Sequence, residues 1–234
     1  MSEIPEELEE GKRWKVKVDG EIVPNAEKVE ISNEKYGILE YGLHPNNYGT
    51  WTFHENGGGG AATILYTIDP VSGKIYIGMI EASRPTLDEG KVWEIPRGFI
   101  NLGETHKQAA ERETEEEVGY SGESISLADE VNMNSAFFNT SIRGEGVSFF
   151  TMQVDFSDLV REHYTHPLDE MLTTGNLIFS NSVVESVKGN DEAEKIFGSK
   201  FFPITNIPDK RDGFTASALG YLWMFLEKQK CRCD

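Results

Sequence analysis

The sequence predicts an α/β fold of the α+β kind: an α/β/α sandwich on a mixed sheet, with a small N-terminal β portion. Three observations carry that expectation. Strand-like runs flank one central, well-capped helix; a second amphipathic helix closes the chain; and the stretch from Trp14 to Phe53 holds short alternating runs without helical periodicity.

In order along the chain, residues 1–12 (MSEIPEELEEGK) form an acidic arm, poor in aromatics and lacking the basic and apolar regions of a signal peptide. WKVKV, the turn Asp19-Gly20 and EIV read as a hairpin, and further strand-like pieces lead to GTWTF at 49–53. The run Gly57 to Gly60 breaks the chain, which divides it into 1–56, the arm and β portion, and 57–234, the main domain. AATILYTI (61–68), the turn DPVSG (69–73) and KIYIGMI (74–80) form a second hairpin. A helix begins at Thr105, where Thr105 and Gln108 fit a capping box, and stops at Gly119, suited to the left-handed position after a helix. VSFFTMQV (147–154) is the clearest later strand, whereas about 155–200 is polar, weakly periodic and reads as an inserted loop-and-helix region. GFTASALGYLWMFLEKQ (213–229) places Ala218, Leu219, Leu222, Trp223 and Leu226 at helical spacing, as a terminal helix packed on the sheet.

The formal net charge of -18 weighs against a broad basic surface for nucleic acid or an anionic membrane. No run approaches the eighteen or so apolar residues of a membrane span. The two cysteines, Cys231 and Cys233, are too few and too close for a disulfide framework, which fits a reducing compartment and a cytoplasmic location.

Glu113, Glu115, Glu116 and Glu117 crowd within five residues of the capped helix. With Glu113 as zero, a helix advancing about 100° per residue puts Glu117 near about 40° and Glu116 near about 300°, so three carboxylates share a face. Ala110, Thr114 and Val118 form the stripe that packs on a sheet, Glu115 points to solvent, and Arg112 lies one turn before Glu116, placed to pair with it. Converging carboxylates raise one another's pKa unless a cation neutralises them, and oxygen donors select a hard ion: Mg²⁺, or Mn²⁺ as the second choice. Magnesium commonly completes its shell with water and phosphate oxygens, which points to a phosphorylated substrate.

Gly98, Glu104, Arg112-Glu113-Thr114-Glu115-Glu116-Glu117-Val118-Gly119-Tyr120 resembles the Nudix box, G-x5-E-x7-R-E-U-x-E-E-x-G-U, at all seven fixed positions. Thr114 stands where an aliphatic residue is usual, and Tyr120 is aromatic; both predict altered packing rather than lost chemistry. The resemblance implies a Nudix-type sandwich and divalent-metal-dependent hydrolysis of a nucleoside diphosphate linked to another moiety. It implies Glu113, Glu116 and Glu117 as metal ligands, Glu104 as a further metal or water-mediated contact, Gly98 as a carbonyl donor and Arg112 as the residue that orients the carboxylates.

Glu94-x-Pro96-x-Gly98, the N-terminal strands and the strand-end Arg84 look like the ADP-ribose pyrophosphatase branch, which implies a homodimer and places Arg84 and Glu94 at the substrate. Arg84 as a plain surface arginine is the competing reading. Ser135 stands where that branch often has proline, within NSAFFNTS (134–141), and similar stretches occur in nucleotide-sugar hydrolases, so both substrate types remain open. Glu162, Asp169 and Glu170 are the candidate general bases, with solvated loop acids as their alternative; Phe137, Phe138 and Tyr164 could stack a base. From a different class comes a catalytically silent nucleotide sensor of the same fold. The complete set of box carboxylates and the lack of a basic DNA-binding element favour the enzyme.

Overall fold

The structure, a computed structural model, describes residues 16–18, 21–23, 28–33, 37–43, 49–55, 59–84, 90–127, 146–165, 171–180, 190–191, 194–208 and 212–231. Two units divide the chain, Met1–Asn56 and Gly57–Asp234.

In the first unit β1 (Val16–Val18) and β2 (Glu21–Val23) form an antiparallel hairpin with Val16 opposite Val23. The Asp19-Gly20 dipeptide lies between them, the composition a tight hairpin turn favours. β3 (Lys28–Asn33), β4 (Gly37–Leu43) and β5 (Gly49–Glu55) make a three-stranded antiparallel meander.

The second unit is built on β6 (Gly59–Ile68), β7 (Ile75–Ser83), β8 (Lys91–Glu94), β9 (Arg97–Phe99), β10 (Ile125–Ser126), β11 (Gly146–Gln153), β12 (Leu159–Thr165), β13 (Met171–Phe179), β14 (Asn190–Asp191) and β15 (Glu194–Pro203). Their order is β10-β11-β6-β7-β15-β13-β12, with β8 on β7, β9 on β6 and β14 on β15. β11 runs parallel to β6 and the other pairs are antiparallel, so the sheet is mixed. The β6–β7 turn forms because Asp69 accepts from the Val71 amide at 2.9 Å and the Ser72 hydroxyl at 2.7 Å, closing the loop.

Alternate residues of β6 are sorted to opposite faces, as strand geometry requires. Ala62, Ile64 and Tyr66 join Ala218, Leu222 and Phe225 of helix α2 (Gly213–Cys231) in one core cluster. Ala61 packs with Ala109 and Ala110 of helix α1 (His106–Val118), and Leu65 packs with its Val118. The two helices therefore cover opposite faces, and the α/β/α sandwich is present. Gly59 and Gly60 belong to β6 rather than breaking the chain; a β-carbon on Gly59 would stand 2.1 Å from the Gly146 carbonyl oxygen, so glycine permits the close approach of β6 to β11.

β6 and β7 pair directly only from Leu65 to Ile68 against Ile75 to Gly78. Beyond that point they part. β9 takes Gly60 to Ala62, β8 takes Ile80 to Ser83, and Ile95-Pro96 links the two. The Thr63 amide donates to the Pro96 carbonyl at 2.9 Å, which seats this strap in the gap.

Two expectations are corrected. Over 155–200 the described residues are mainly strands, β12, β13 and β15, with a single 3-10 turn at Phe156–Asp158, and not loop and helix. Irregularities hide their alternation: β12 shifts register between Arg161 and His163, Gly175 in β13 has φ of 84°, and β15 shifts between Ile196 and Gly198. In α2, Trp223 is exposed, and Tyr221 and Phe225 take the buried positions with Ala218, Leu222 and Leu226. No helix among the described residues is long and apolar enough to cross a membrane. Cys231 is exposed; Cys233, the acidic arm, Ser135, Phe137, Phe138, Asp169 and Glu170 lie outside the described residues.

Candidate active site

Helix α1 starts as its sequence requires. The Thr105 hydroxyl accepts from the Gln108 amide at 3.2 Å, the Gln108 side chain accepts from the Thr105 amide at 2.9 Å, and Gly119 ends the helix in the left-handed conformation. Ala110, Thr114 and Val118 are buried, which fixes the helix's rotation about its axis. Thr114, the polar exception in that stripe, is accommodated because its hydroxyl donates to the Ala110 carbonyl at 2.7 Å. Tyr120 stacks on Phe179 with ring centroids 5.2 Å apart.

With the rotation fixed, Arg112 reaches back along the helix and the loop before it. Its guanidinium grips Glu104 with two bonds, Nε to Oε1 at 2.9 Å and Nη2 to Oε2 at 3.0 Å. Nη1 donates to Glu113 Oε1 at 2.7 Å and Glu116 Oε2 at 3.0 Å, and Nη2 also donates to the Phe99 carbonyl at 2.9 Å. All five N–H groups are engaged. The Arg112–Glu104 bond holds the Glu104 carboxyl below the usual glutamate range and pushes the arginine further up, beyond its already high value. Glu104 also accepts from the Asn101 amide at 2.9 Å, so it is the anchor for Arg112.

Glu117 is buried and accepts from the Arg97 amide at 3.0 Å. Glu113 lies against Gly98: a β-carbon built on that glycine would stand 2.0 Å from Glu113 Oε1. The strap thus meets α1 twice, through a backbone donor and through a side chain's absence. Glu115 is exposed, as its wheel position requires. Among the described residues, no three histidine, cysteine or acidic side chains converge as a metal cluster; Glu104, Glu113 and Glu116 are gathered on Arg112 instead. The donor chemistry nevertheless fits a hard divalent ion: carboxylate oxygens on one helical face, one of them packed directly on the side-chain-free backbone of Gly98. Of the three acids on Arg112, Glu116 is the most exposed, at 45% against 14% for Glu104 and for Glu113, so its pair with Arg112 contributes least, about 0–1 kcal/mol.

A second cluster adjoins the first. Glu94, 1% exposed, receives Arg84 through Nε at 3.2 Å and through Nη2, and Arg97 Nη2 at 3.0 Å. The two residues that the sequence nominated for substrate, Arg84 and Glu94, therefore bind each other. Arg97 sits directly before Gly98 but carries no sequence signal of its own. Its side chain reaches Glu94 and its amide holds Glu117, so it joins the arginine cluster to the acidic face. Further along, Arg97 Nη1 lies 3.4 Å from Asp212 Oδ1, and its guanidinium is 4.4 Å from the centre of the Phe214 ring.

Glu162 is not brought to this site. It pairs with Lys200 Nζ at 2.5 Å and accepts from Asn176 Nδ2 at 3.1 Å. Lys200 is opposite Met79, a member of the α2-side core, and lies 5.7 Å from the Trp93 ring, so Glu162 stands on the face opposite α1.

Comparison with known proteins agrees with the box. The NUDIX domain family model matches residues 62–217, about two thirds of the chain. An ADP-ribose pyrophosphatase of Saccharomyces cerevisiae is 41% identical over 69 residues, which cover 30% of this chain and 28% of that protein. Among solved structures, an ADP compounds hydrolase aligns with a TM-score of 0.48 at 15% identity, covering 86% of this chain and 92% of that one. An Ap4A hydrolase of C. elegans aligns with a TM-score of 0.34 at 15% identity, covering 71% and 96%. On the family match over residues 62–217, with the fixed positions of the box spread over β9, the loop after it, α1 and the glycine that ends it, the chain belongs to the NUDIX domain family.

Proposed function

We propose that the protein is a divalent-metal-dependent pyrophosphohydrolase that cleaves a nucleoside diphosphate linked to another moiety, ADP-ribose or a nucleotide sugar. The products are a nucleoside monophosphate and a phosphorylated second product. The observation that carries this reading is the double contact of α1 with the strap, Glu117 on the Arg97 amide and Glu113 against Gly98. It aims two box carboxylates at one short piece of backbone.

Glu113, Glu116 and Glu117 would hold the cation, Mg²⁺ or Mn²⁺, with the Gly98 carbonyl as a further oxygen. When bound, the ion supplies positive charge against the pyrophosphate oxygens and makes water a usable nucleophile near neutral pH. Arg112, anchored on Glu104, orients Glu113 and Glu116. Arg84 and Arg97 present two guanidiniums on a buried carboxylate, an arrangement suited to orienting phosphate oxygens beside the acidic face. The 41% identity to an ADP-ribose pyrophosphatase supports ADP-ribose as the first substrate to test. The unit Gly57–Asp234 would then be the catalytic domain, and Met1–Asn56 the part that joins two copies into a homodimer; light scattering on the purified chain tests the dimer.

A phosphate-release screen over ADP-ribose, nucleotide sugars, dinucleoside polyphosphates and NADH, with Mg²⁺ or with EDTA, tests the reaction. We expect Mg²⁺-dependent turnover of ADP-ribose or a nucleotide sugar, abolished by EDTA. Nucleotide binding without turnover of any of these would make the protein a sensor.

A further inference from the structure

The first turn of α2 is fastened to the strap from the face opposite the box. Asp212 caps the helix, accepting from the Phe214 amide at 3.4 Å and the Thr215 amide at 2.9 Å. Its other duty is to Arg97, whose Nη1 it meets at 3.4 Å. Thr215 is 2% exposed; its hydroxyl donates to Asp212 Oδ2 at 2.5 Å and accepts from the Ile95 amide at 3.2 Å. Phe214, between them, carries the Arg97 guanidinium on its ring. Ile95 and Arg97 flank Pro96, so the α2 cap holds both sides of the strap's bend.

A capped helix needs none of this. A cap requires an oxygen for the first amides, which asparagine supplies as well as aspartate, and it does not require a charge aimed at an arginine of another element. The strap gains a defined position, and the Arg97 amide that holds Glu117 is part of it. The path runs from the α2 cap through Thr215 and Asp212 to Ile95 and Arg97, then to Glu117 on α1.

We infer that Asp212 and Thr215 are positioning residues for the acidic face: by clamping Ile95 and Arg97 they set the amide that orients Glu117. This rests on the hydrolase reading above only for its effect on turnover. Cation uptake by the α1 carboxylates provides a separate readout.

Asp212→Asn retains the cap and removes the charge facing Arg97. Thr215→Val removes the acceptor for Ile95, and Thr215→Ser restores it. We expect Asp212→Asn and Thr215→Val to lower kcat about tenfold, as a misplaced catalytic group does. KM should stay within about twofold. Mn²⁺ affinity, followed by calorimetry without substrate, should weaken severalfold in both variants at an unchanged Tm for Asp212→Asn. Thr215→Ser should return kcat and Mn²⁺ affinity to those of the native protein. Native kcat and Mn²⁺ affinity in Asp212→Asn, or losses in both variants that simply follow a fall in Tm, would overturn the inference. Should the native protein turn over no substrate, the hydrolase reading fails, and Mn²⁺ affinity alone decides: weakened in the two variants supports positioning, unchanged overturns it. A native protein that takes up no Mn²⁺ overturns both.

Discussion

The carboxylate of Glu113 occupies the space where any other residue at position 98 would carry its β-carbon, 2.0 Å from Glu113 Oε1. Glycine is required there by close approach. Gly98→Ala must displace either the carboxylate or β9, and we expect kcat to fall about a hundredfold with the circular dichroism spectrum unchanged. Turnover near that of the native protein would show that Glu113's seat beside the strap is dispensable.

Arg112 binds Glu104 through two hydrogen bonds, which keeps that carboxyl below its usual range. A lowered folded-state pKa stabilises the fold above the ordinary glutamate value, and the contribution fades as pH falls through the lowered value. The Tm gap between the native protein and Glu104→Gln should therefore be full at neutral pH and shrink below about pH 4. A gap that stays constant through acid titration contradicts the Glu104 anchor.

Glu94 serves two arginines from a site 1% exposed. Removing it takes a buried carboxylate from two partly buried guanidiniums, of which Arg97 keeps Asp212, so Glu94→Ala should cost about 3 kcal/mol in denaturant unfolding. Arg84→Ala leaves Arg97 on the carboxylate and should cost less, while raising KM if Arg84 orients phosphate. Equal stability losses with an unchanged KM would restrict Arg84 to a structural pairing.

Thr114 departs from the aliphatic residue usual in the box, yet its hydroxyl is satisfied by the Ala110 carbonyl, which also receives the Thr63 hydroxyl at 3.3 Å. Thr114→Val removes a donor and strands no acceptor, so its effect on unfolding should stay within about 1 kcal/mol. A larger loss would mean that the hydroxyl, and not the methyl group, sets the helix's seat.

The acidic helix was legible because its signals are local: a capping box, a C-terminal glycine and a 3.6-residue period, all within Thr105 to Gly119. The first sheet hairpin was legible for the same reason, with a turn at Asp69 between alternating strands. Strands β12, β13 and β15 were not, because register shifts and Gly175 interrupt the two-residue period on which the reading depends. Within the site, the wheel anticipates that Arg112 reaches Glu116. It could not show that Arg112 also gathers Glu104 and Glu113, or that Arg84 and Glu94 pair across ten residues of sequence. Those contacts depend on β8 and β9 entering the gap between β6 and β7, a tertiary event with no periodic signature. Arg97 and Asp212 lack a periodic signal for the same reason, although the spacing from Asp212 to Thr215 is a helix-start signal.

The most direct measurement is turnover of ADP-ribose as a function of Mg²⁺ concentration for the native protein, Glu116→Gln and Glu117→Gln. We expect saturable Mg²⁺ dependence in the native protein and a kcat lowered a hundredfold or more, roughly, in both variants, with each still folded. Hydrolysis that persists in EDTA, or variants that turn over like the native protein, would contradict a cation held by the acidic face of α1.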